Sequence, residues 1–242
     1  MIQLFTDYGG ADPYVGQVKA AIIALAPDAQ VVDLLHAVPN FDIQAGAHLL
    51  AALARQFQIG SVCLAVVDPG VGSTREAVVM LADERWYIGP DNGLLSIVAA
   101  RADKVELWNI VWRPENMSHS FHGRDLFAPI AAWVDIGAFP HGKLADSVSL
   151  QVQLDAGDLL EVIYIDHYGN AMTGVRAGAV DRSRRIAAGP ETLGYAPVFS
   201  DVLQGRGFWY ENSLGLVEIA VNRGSAAQEL GLRIGDPIRL VN

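Results

Sequence analysis

The sequence predicts a two-domain protein of the α/β class. Residues 1–150 are expected to form a Rossmann-like, three-layer domain with a mostly parallel sheet, and residues 151–242 a smaller all-β, barrel-like domain. The first prediction comes from a β-α-β-α-β alternation over the first 67 residues, which is typical of parallel strands joined by crossover helices. The second comes from a change near residue 147, after which short strand-like runs alternate with turns.

Each element of the first domain has a local signal. Asp12 and Pro13 suit the N-cap and first position of a helix, and Pro27 ends that helix. Residues 62–67 are uniformly apolar, as expected of a strand buried on both faces. In chain order we expect strands at 2–6, 31–35, 62–67, 77–81, 86–88 and 105–110, with helices at 13–26, 42–57, 94–100 and 124–136.

The second domain shows mostly strand-like segments. Its first apolar run, residues 159–165, ends at a polar loop, and only residues 225–230 have a helical pattern. The further strands are expected at 185–187, 197–199, 207–210, 214–221 and 236–241.

Composition restricts the classes of partner. The net charge of −10 argues against nucleic acid and anionic membranes, which select basic surfaces. Although 51% of the chain is hydrophobic, it contains no run of 18 uninterrupted apolar residues, so we expect no membrane span. The single cysteine, Cys63, excludes an internal disulfide and a thiolate-rich metal site. Because the N-terminus lacks the pattern of a signal peptide, we expect a cytoplasmic protein.

Two common phosphate-binding motifs are absent. The first strand is not followed by Gly-x-Gly-x-x-Gly, and no Gly-x-x-x-x-Gly-Lys-Ser/Thr occurs in the chain. The glycines also lack a cluster of Lys or Arg beside them. A dinucleotide or a polyphosphate is therefore a poor fit.

The segment from Asp68 to Arg75 is the strongest chemical signal. Asp68 follows a buried strand, and in open α/β sheets ligands bind at the carboxyl ends of the strands. Arg75 lies seven residues further on and can fold back toward Asp68. His122 stands in a second glycine-containing turn. We expect Asp68, Arg75 and His122 to converge on one water molecule.

Aspartates at strand ends indicate the ligand. Asp7 ends the first strand and Asp68 the third, and a carboxylate can accept both hydrogen bonds of a cis-diol. Together with the missing phosphate motifs, this favours a nucleoside without phosphates. Asp12 fits either a helix N-cap or a ligand contact.

Six motifs, in one order over nearly the whole chain, resemble the S-adenosylmethionine hydroxide adenosyltransferases, which are relatives of the fluorinase and chlorinase halide adenosyltransferases. They are Thr6-Asp7-Tyr8-Gly9, Asp68-Pro69-Gly70-Val71-Gly72, Gly89-Pro90-Asp91-Asn92-Gly93, Phe121-His122-Gly123-Arg124-Asp125, Asp166-His167-Tyr168-Gly169-Asn170, and Asn212-Ser213 through Glu218.

The resemblance implies an activity and an assembly. Water would attack C5′ of the ribose of S-adenosylmethionine, giving adenosine and L-methionine. The family's catalytic triad falls on Asp68, Arg75 and His122. A homotrimer is implied, with each substrate held between the N-terminal domain of one subunit and the C-terminal domain of its neighbour.

The resemblance also assigns substrate contacts. Asp7 would bind the ribose, with Asp12 a second contact, and Asp166 and Asn170 would bind the methionine end. The adenine end falls near Ser213, Glu218 and Val221, and the aromatic positions that enclose the ligand fall on Phe41, Tyr168 and Phe199. Leu214 stands where the halide enzymes have an arginine for the substrate carboxylate.

Three other functions stay open at this point. Halide transfer is disfavoured because the Asp68 carboxylate would repel an anion. A metal-dependent hydrolase would use Asp7, Asp12, Asp68 and His122, whereas the resemblance implies no metal and no cofactor. A nucleoside-binding sensor would turn over only incidentally.

Overall fold

The computed structural model describes residues 1–241, and its contacts divide the chain into two compact units. The first unit is Met1–Ala156, and the second begins at Gly157. None of the described helices is long and apolar enough to cross a membrane.

The first unit contains a seven-stranded sheet with helices packed on it. Its elements are β1 (Ile2–Thr6), α1 (Pro13–Leu25), β2 (Val31–Leu35), α2 (Ile43–Ala54), β3 (Val62–Val66), β4 (Ala77–Ala82), β5 (Arg85–Pro90), α3 (Ser96–Arg101), β6 (Val105–Ile110), a π-helical turn (Gly123–Phe127), α4 (Ala128–Asp135), a 3₁₀ turn (His141–Lys143) and β7 (Leu144–Ser147).

The sheet is mixed, which corrects the prediction of a mostly parallel one. Its strand order is β2-β1-β3-β5-β4-β6-β7. The pairs β2-β1, β1-β3 and β3-β5 are parallel, and the pairs β5-β4, β4-β6 and β6-β7 are antiparallel. The antiparallel half begins because β4 and β5 are joined by a two-residue turn. Asp83 and Glu84 in that turn both have positive φ, as a tight hairpin requires.

Both faces of the central strands are buried. In β3 every residue is buried, which fits a strand covered by helices on each side. Helices α1 and α4 pack against each other and share one apolar cluster with alternate strand residues such as Leu4 and Leu64. The intervening residues Phe5 and Cys63 are buried as well. The carboxyl ends of β1 and β3 are thus paired with each other and packed on both faces.

The second unit contains two small antiparallel sheets. Its elements are β8 (Leu159–Ile165), β9 (Ala171–Arg176), a 3₁₀ turn (Ala177–Ala179), β10 (Arg185–Ala188), β11 (Glu191–Leu193), a 3₁₀ turn (Phe199–Asp201), β12 (Gly207–Glu211), β13 (Leu216–Val221), α5 (Ala226–Glu229) and β14 (Ile238–Val241). The sheet orders are β12-β13-β9-β8 and β11-β10-β14. Closure of these sheets into a barrel stays a prediction.

The element predictions fail mainly where patterns are weak. The strand predicted at 197–199 is wrong, since the 3₁₀ turn Phe199–Asp201 begins there. Strands β7, β9 and β11 were not predicted, because they are short or rich in small residues and show no regular alternation. The strands Val105–Ile110 and Leu159–Ile165 are confirmed at their predicted bounds.

Two adjacent isoleucines in α1 test the packing of this layer. Ile22 is fully buried, whereas Ile23 is 47% exposed. Replacing Ile22 with Ala should destabilise the first unit by about 2 to 5 kcal/mol, because a buried side chain is removed and a cavity remains. Ile23→Ala is the matched control and should change stability by no more than about 0.5 kcal/mol. Chemical denaturation followed by tryptophan fluorescence measures both, and equal losses would contradict this packing.

Candidate active site

Asp68 is fixed by the turn that follows β3. The carbonyl of Val67 accepts a hydrogen bond from the Asn92 side chain at 2.8 Å, and the carbonyl of Asp68 accepts one from Val71 N at 3.2 Å. At Gly72, where φ is +82°, a Cβ would lie 2.6 Å from the carbonyl oxygen of His119. Glycine is therefore required there, since it lets the segment before His122 approach the Asp68 turn.

Arg75 folds back onto Asp68, as predicted. Its Nε donates to Asp68 Oδ1 at 2.8 Å, and its Nη2 donates to Asp68 Oδ2. The two side chains are only 10% and 5% exposed. Arg75 Nη1 also donates to the Glu76 carbonyl at 3.1 Å, and the guanidinium lies over the Phe127 ring. This two-point geometry holds the plane of the Asp68 carboxylate.

His122 completes the contact from another part of the chain. It precedes the π-helical turn Gly123–Phe127, and such turns are frequent at functional sites. At Gly123 a Cβ would lie 2.0 Å from the hydroxyl oxygen of Tyr8, so the glycine leaves room for the Tyr8 ring beside His122. His122 Nδ1 lies 3.0 Å from Arg75 Nη2. The structure thus brings Asp68, Arg75 and His122 together.

The contact with Arg75 determines which nitrogen of His122 carries the proton. A guanidinium only donates hydrogen bonds, so His122 Nδ1 must accept, and the neutral ring is protonated on Nε2. Burial, followed by the charge of Arg75, lowers the pKa of His122 below its ordinary value of 6.5. The ring is therefore neutral near pH 7, and Nε2–H is the donor left for a ligand.

Two of the three residues, Asp68 and His122, border a cavity of about 620 Å³ in the first unit, and Arg75 contacts both of them without lining it. Asp7 and Phe41 line it as well. Asp7 follows β1, and its Oδ2 accepts a hydrogen bond from Phe41 N at 3.3 Å. Burial is the main cause that raises the pKa of Asp7. Asp12 occupies the N-cap position of α1 without a capping hydrogen bond from its side chain, and it is not among the residues that line this cavity.

Aromatic side chains form much of the cavity wall. Phe41 has a left-handed backbone, with φ of +64°, and is 72% exposed. The rings of Tyr8, Tyr14 and Phe121 pack against one another at centroid distances of 5.4 to 6.0 Å. These three residues had not been assigned a role from the sequence. Tyr8 follows Asp7 inside the first motif and could have been found there, whereas Tyr14 had no such signal.

The second unit has its own cavity of about 570 Å³. It is lined by Asp166, Tyr168, Asn170, Phe199, Tyr210, Val221, Arg223 and Gly224. Five of the substrate contacts expected from the resemblance are in this set.

A compact loop between β8 and β9 presents the polar residues of this cavity. Asp166 Oδ1 accepts from the backbone N–H groups of Tyr168 and Asn170, at 2.9 and 2.8 Å. Asp166 Oδ2 accepts from the Asn170 side chain at 3.0 Å. Tyr168 is 75% exposed at the tip of this loop. The loop is thus ordered by Asp166 itself.

Ser213 and Glu218 are not among the residues that line this cavity. Glu218 is 2% exposed and accepts hydrogen bonds from the Tyr210 hydroxyl at 2.7 Å and from Asn212 Nδ2 at 2.6 Å. Burial is the main cause that raises the pKa of Glu218. Glu218 therefore supports Tyr210, whose ring does line the cavity.

The metal-site residue set does not assemble in the described structure. Within residues 1–241, no three His, Cys, Asp or Glu side chains form a group that could hold a metal ion.

Comparison with known proteins places the chain in a family. The model for the SAM hydroxide adenosyltransferase N-terminal domain matches residues 2–143, and the model for the C-terminal domain of the same family matches residues 160–239. The chain belongs to the SAM hydroxide adenosyltransferase family. This confirms the resemblance found in its motifs.

Individual relatives agree with this assignment. An (R)-S-adenosyl-L-methionine hydrolase from Salinispora arenicola strain CNS-205 is 38% identical, over 99% of this chain and 97% of the relative. A fluorinase from Nocardia brasiliensis is more distant, at 26% identity over 99% and 96%. The crystal structure of an uncharacterised conserved protein from Thermotoga maritima superposes with a TM-score of 0.90, at 34% identity over the whole of both chains.

The protonation state of His122 can be measured directly. Nitrogen-15 NMR of labelled histidine side chains should show an unprotonated Nδ1 and a protonated Nε2 at pH 7, with a pKa below 6.5. Arg75→Met should raise that pKa, because it removes a positive charge and leaves Asp68 nearby.

Lys143→Met is the control for the loss of a cation, since Lys143 packs on Trp112 and Trp133 instead. It should leave the titration of His122 unchanged. A protonated Nδ1 in the wild-type protein would contradict the geometry, and this measurement does not depend on whether the Arg75 variant folds.

Proposed function

We propose that this protein hydrolyses S-adenosyl-L-methionine to adenosine and L-methionine, with water as the nucleophile. The observation that supports this best is the contact of Asp68, Arg75 and His122 at the edge of the first cavity. The identity of the proposed substrate comes from the family assignment and from the relatives named as hydrolases. Asp7, in the same cavity, is suited to accept hydrogen bonds from the ribose hydroxyls.

The reaction needs little besides a nucleophile and its orientation. The sulfonium leaves as a neutral thioether, so no general acid is required, and we propose that no cofactor takes part. Attack by free hydroxide would require a large input of free energy. Lowering the pKa of water from about 15.7 to near 7 would take roughly 12 kcal/mol, at about 1.36 kcal/mol per unit. One arginine and one neutral histidine do not supply that.

We therefore assign proton removal to Asp68 during the attack. The water oxygen forms a bond to C5′ while the C5′–S bond breaks, and the electron pair of that bond stays on sulfur. The water proton goes to Asp68, whose oxygens keep free lone pairs beside those used by Arg75. His122 is a poor base in this arrangement, because Arg75 occupies its Nδ1 lone pair. Its Nε2–H instead stabilises charge that develops on the attacking oxygen.

We also propose that the two cavities act on one substrate in a homotrimer, at interfaces between subunits. The resemblance implies this assembly. Exposed aromatic residues at both cavities support it, since Phe41 is 72% and Tyr168 75% exposed, and such side chains are typical of surfaces covered in a complex. In that assembly Asp166 and Asn170 would contact the methionine end of the substrate and Val221 the adenine end. Phe199 would help to enclose the ligand.

Incubation with S-adenosylmethionine in ¹⁸O-labelled water tests the reaction. Mass spectrometry should find one labelled oxygen in adenosine and none in methionine, because attack at C5′ puts the water oxygen on the ribose. The same incubation with added chloride should give no 5′-chloro-5′-deoxyadenosine, since the Asp68 carboxylate repels an anion. A chlorinated main product would establish the halide reaction instead. Stoichiometric adenosine retained without turnover would indicate a binding protein.

Asp68→Asn tests the assigned base. The amide keeps the size of the side chain but cannot take the proton, so kcat should fall by about 100- to 10,000-fold. Asp28→Asn removes the same charge from an exposed position after α1 and should leave kcat unchanged. Circular dichroism confirms that both variants are folded. If Asp68→Asn kept more than a tenth of the wild-type rate, Asp68 would not be the base.

A further inference from the structure

Arg223 is the cation of the second cavity. Among the described residues that line this cavity, it carries the only positive charge, and Asp166 carries the only negative one. Arg223 lies in the turn after β13, where Gly224 N donates to the Val221 carbonyl at 3.1 Å. A short turn of this kind projects the side chain from a fixed base.

The backbone of Arg223 is in an unfavourable conformation. Its φ is +58°, in the left-handed region that favours glycine or asparagine. A residue with a Cβ is uncommon there, and such outliers concentrate at ligand-binding sites. The tight turn after β13 accounts for the backbone, and the position of Arg223 in the lining of the cavity makes its side chain a candidate for ligand binding.

The guanidinium of Arg223 has no hydrogen-bond or ion-pair partner within residues 1–241, unlike Arg124, the other arginine among the described residues that line the two cavities. Arg124, which lines the first cavity, pairs with Asp125 and also donates to Gln17 at 2.8 Å. Arg182, in the second unit, pairs with Glu211. In contrast, Arg223 makes no ion pair or hydrogen bond through its side chain with any of the described residues. Its charge is available to an anionic group in the cavity.

We propose that Arg223 binds the α-carboxylate of the substrate, an inference that rests on the proposed function. A methionine end carries one carboxylate and one ammonium group. Asp166 Oδ2 accepts a single hydrogen bond, from Asn170, and keeps a lone pair for the ammonium. Arg223 then supplies the complementary charge for the carboxylate. Leu214, which stands where the halide enzymes have their arginine, is apolar and is not among the residues that line the cavity.

The test compares S-adenosylmethionine with decarboxylated S-adenosylmethionine, and adenosine release is the readout for both. The wild-type protein should prefer S-adenosylmethionine in kcat/KM. Arg223→Gly should reduce kcat/KM for S-adenosylmethionine by about 10- to 100-fold, the range of a lost charge-assisted hydrogen bond. The same variant should change the value for the decarboxylated compound by less than about threefold, because that compound has no carboxylate to lose.

Glycine is chosen because it accepts the left-handed backbone, so Arg223→Gly should keep or raise the midpoint of thermal unfolding. Arg233→Ala is the matched control for charge, since Arg233 is exposed in the same unit and is not among the residues lining the cavity. This control should leave kcat/KM unchanged for both substrates.

The outcomes separate this inference from the proposed function. Equal losses on both substrates, or an unchanged preference, would overturn the role of Arg223 while hydrolysis stands. Absence of adenosine with the wild-type protein would overturn the proposed function. In that case calorimetric binding of the two compounds to wild type and Arg223→Gly still decides the inference: a carboxylate-dependent loss of affinity supports it, and equal affinities contradict it.

Discussion

The ion pair between Asp68 and Arg75 is the interaction on which the candidate site depends. Both side chains are almost completely buried, and a buried charge is costly unless it is paired and hydrogen-bonded. The pair joins the turn after β3 to a residue two positions before β4, so it connects the parallel half of the sheet to the antiparallel half. Losing one partner would leave the other charge buried, at a cost of about 3 to 5 kcal/mol.

The same arginine links structure to chemistry through His122. Because Arg75 donates to Asp68 and to His122 Nδ1, it prevents the carboxylate and the imidazole from exchanging roles. The histidine is fixed as a neutral donor and the aspartate as the acceptor. This division suits attack by water on a saturated carbon bonded to a sulfonium sulfur, where a proton must leave the nucleophile and none is needed by the leaving group. If the same three residues were hydrogen-bonded in a different arrangement, His122 would not be fixed as the donor and Asp68 as the acceptor.

Sequence reasoning predicted the residues of this contact better than their arrangement. The spacing of Asp68 and Arg75 and the second glycine turn at His122 were sufficient to place them together. The acceptor role of Nδ1 was not predictable, because it depends on which ring nitrogen of His122 faces the guanidinium. In the sheet, the β-α-β-α-β alternation predicted the parallel strands β1 to β3, and β4 and β5 lie close to their predicted bounds, but the antiparallel pairs β4-β6 and β6-β7 were not predicted.

The second unit shows a different limit of sequence reasoning. Asp166 and Asn170 were recognised because they belong to a dense motif, and they shape their loop by hydrogen bonds that such a motif can specify. Arg223 follows a regular strand and has no motif of its own. Its interest comes from a left-handed backbone and from facing a cavity without a partner. Both are properties of the folded chain that residue identity does not reveal.

The net negative charge of the protein favours attraction of the proposed substrate over attraction of the products. S-adenosylmethionine carries a net positive charge near neutral pH, from its sulfonium and ammonium groups against one carboxylate. Adenosine is neutral, and methionine is a zwitterion without net charge. A chain with a net charge of −10 therefore attracts the substrate over a distance and has no corresponding attraction for either product. Asp7 and Asp68 bring negative charge into the first cavity itself, where the sulfonium must be held until water reaches C5′.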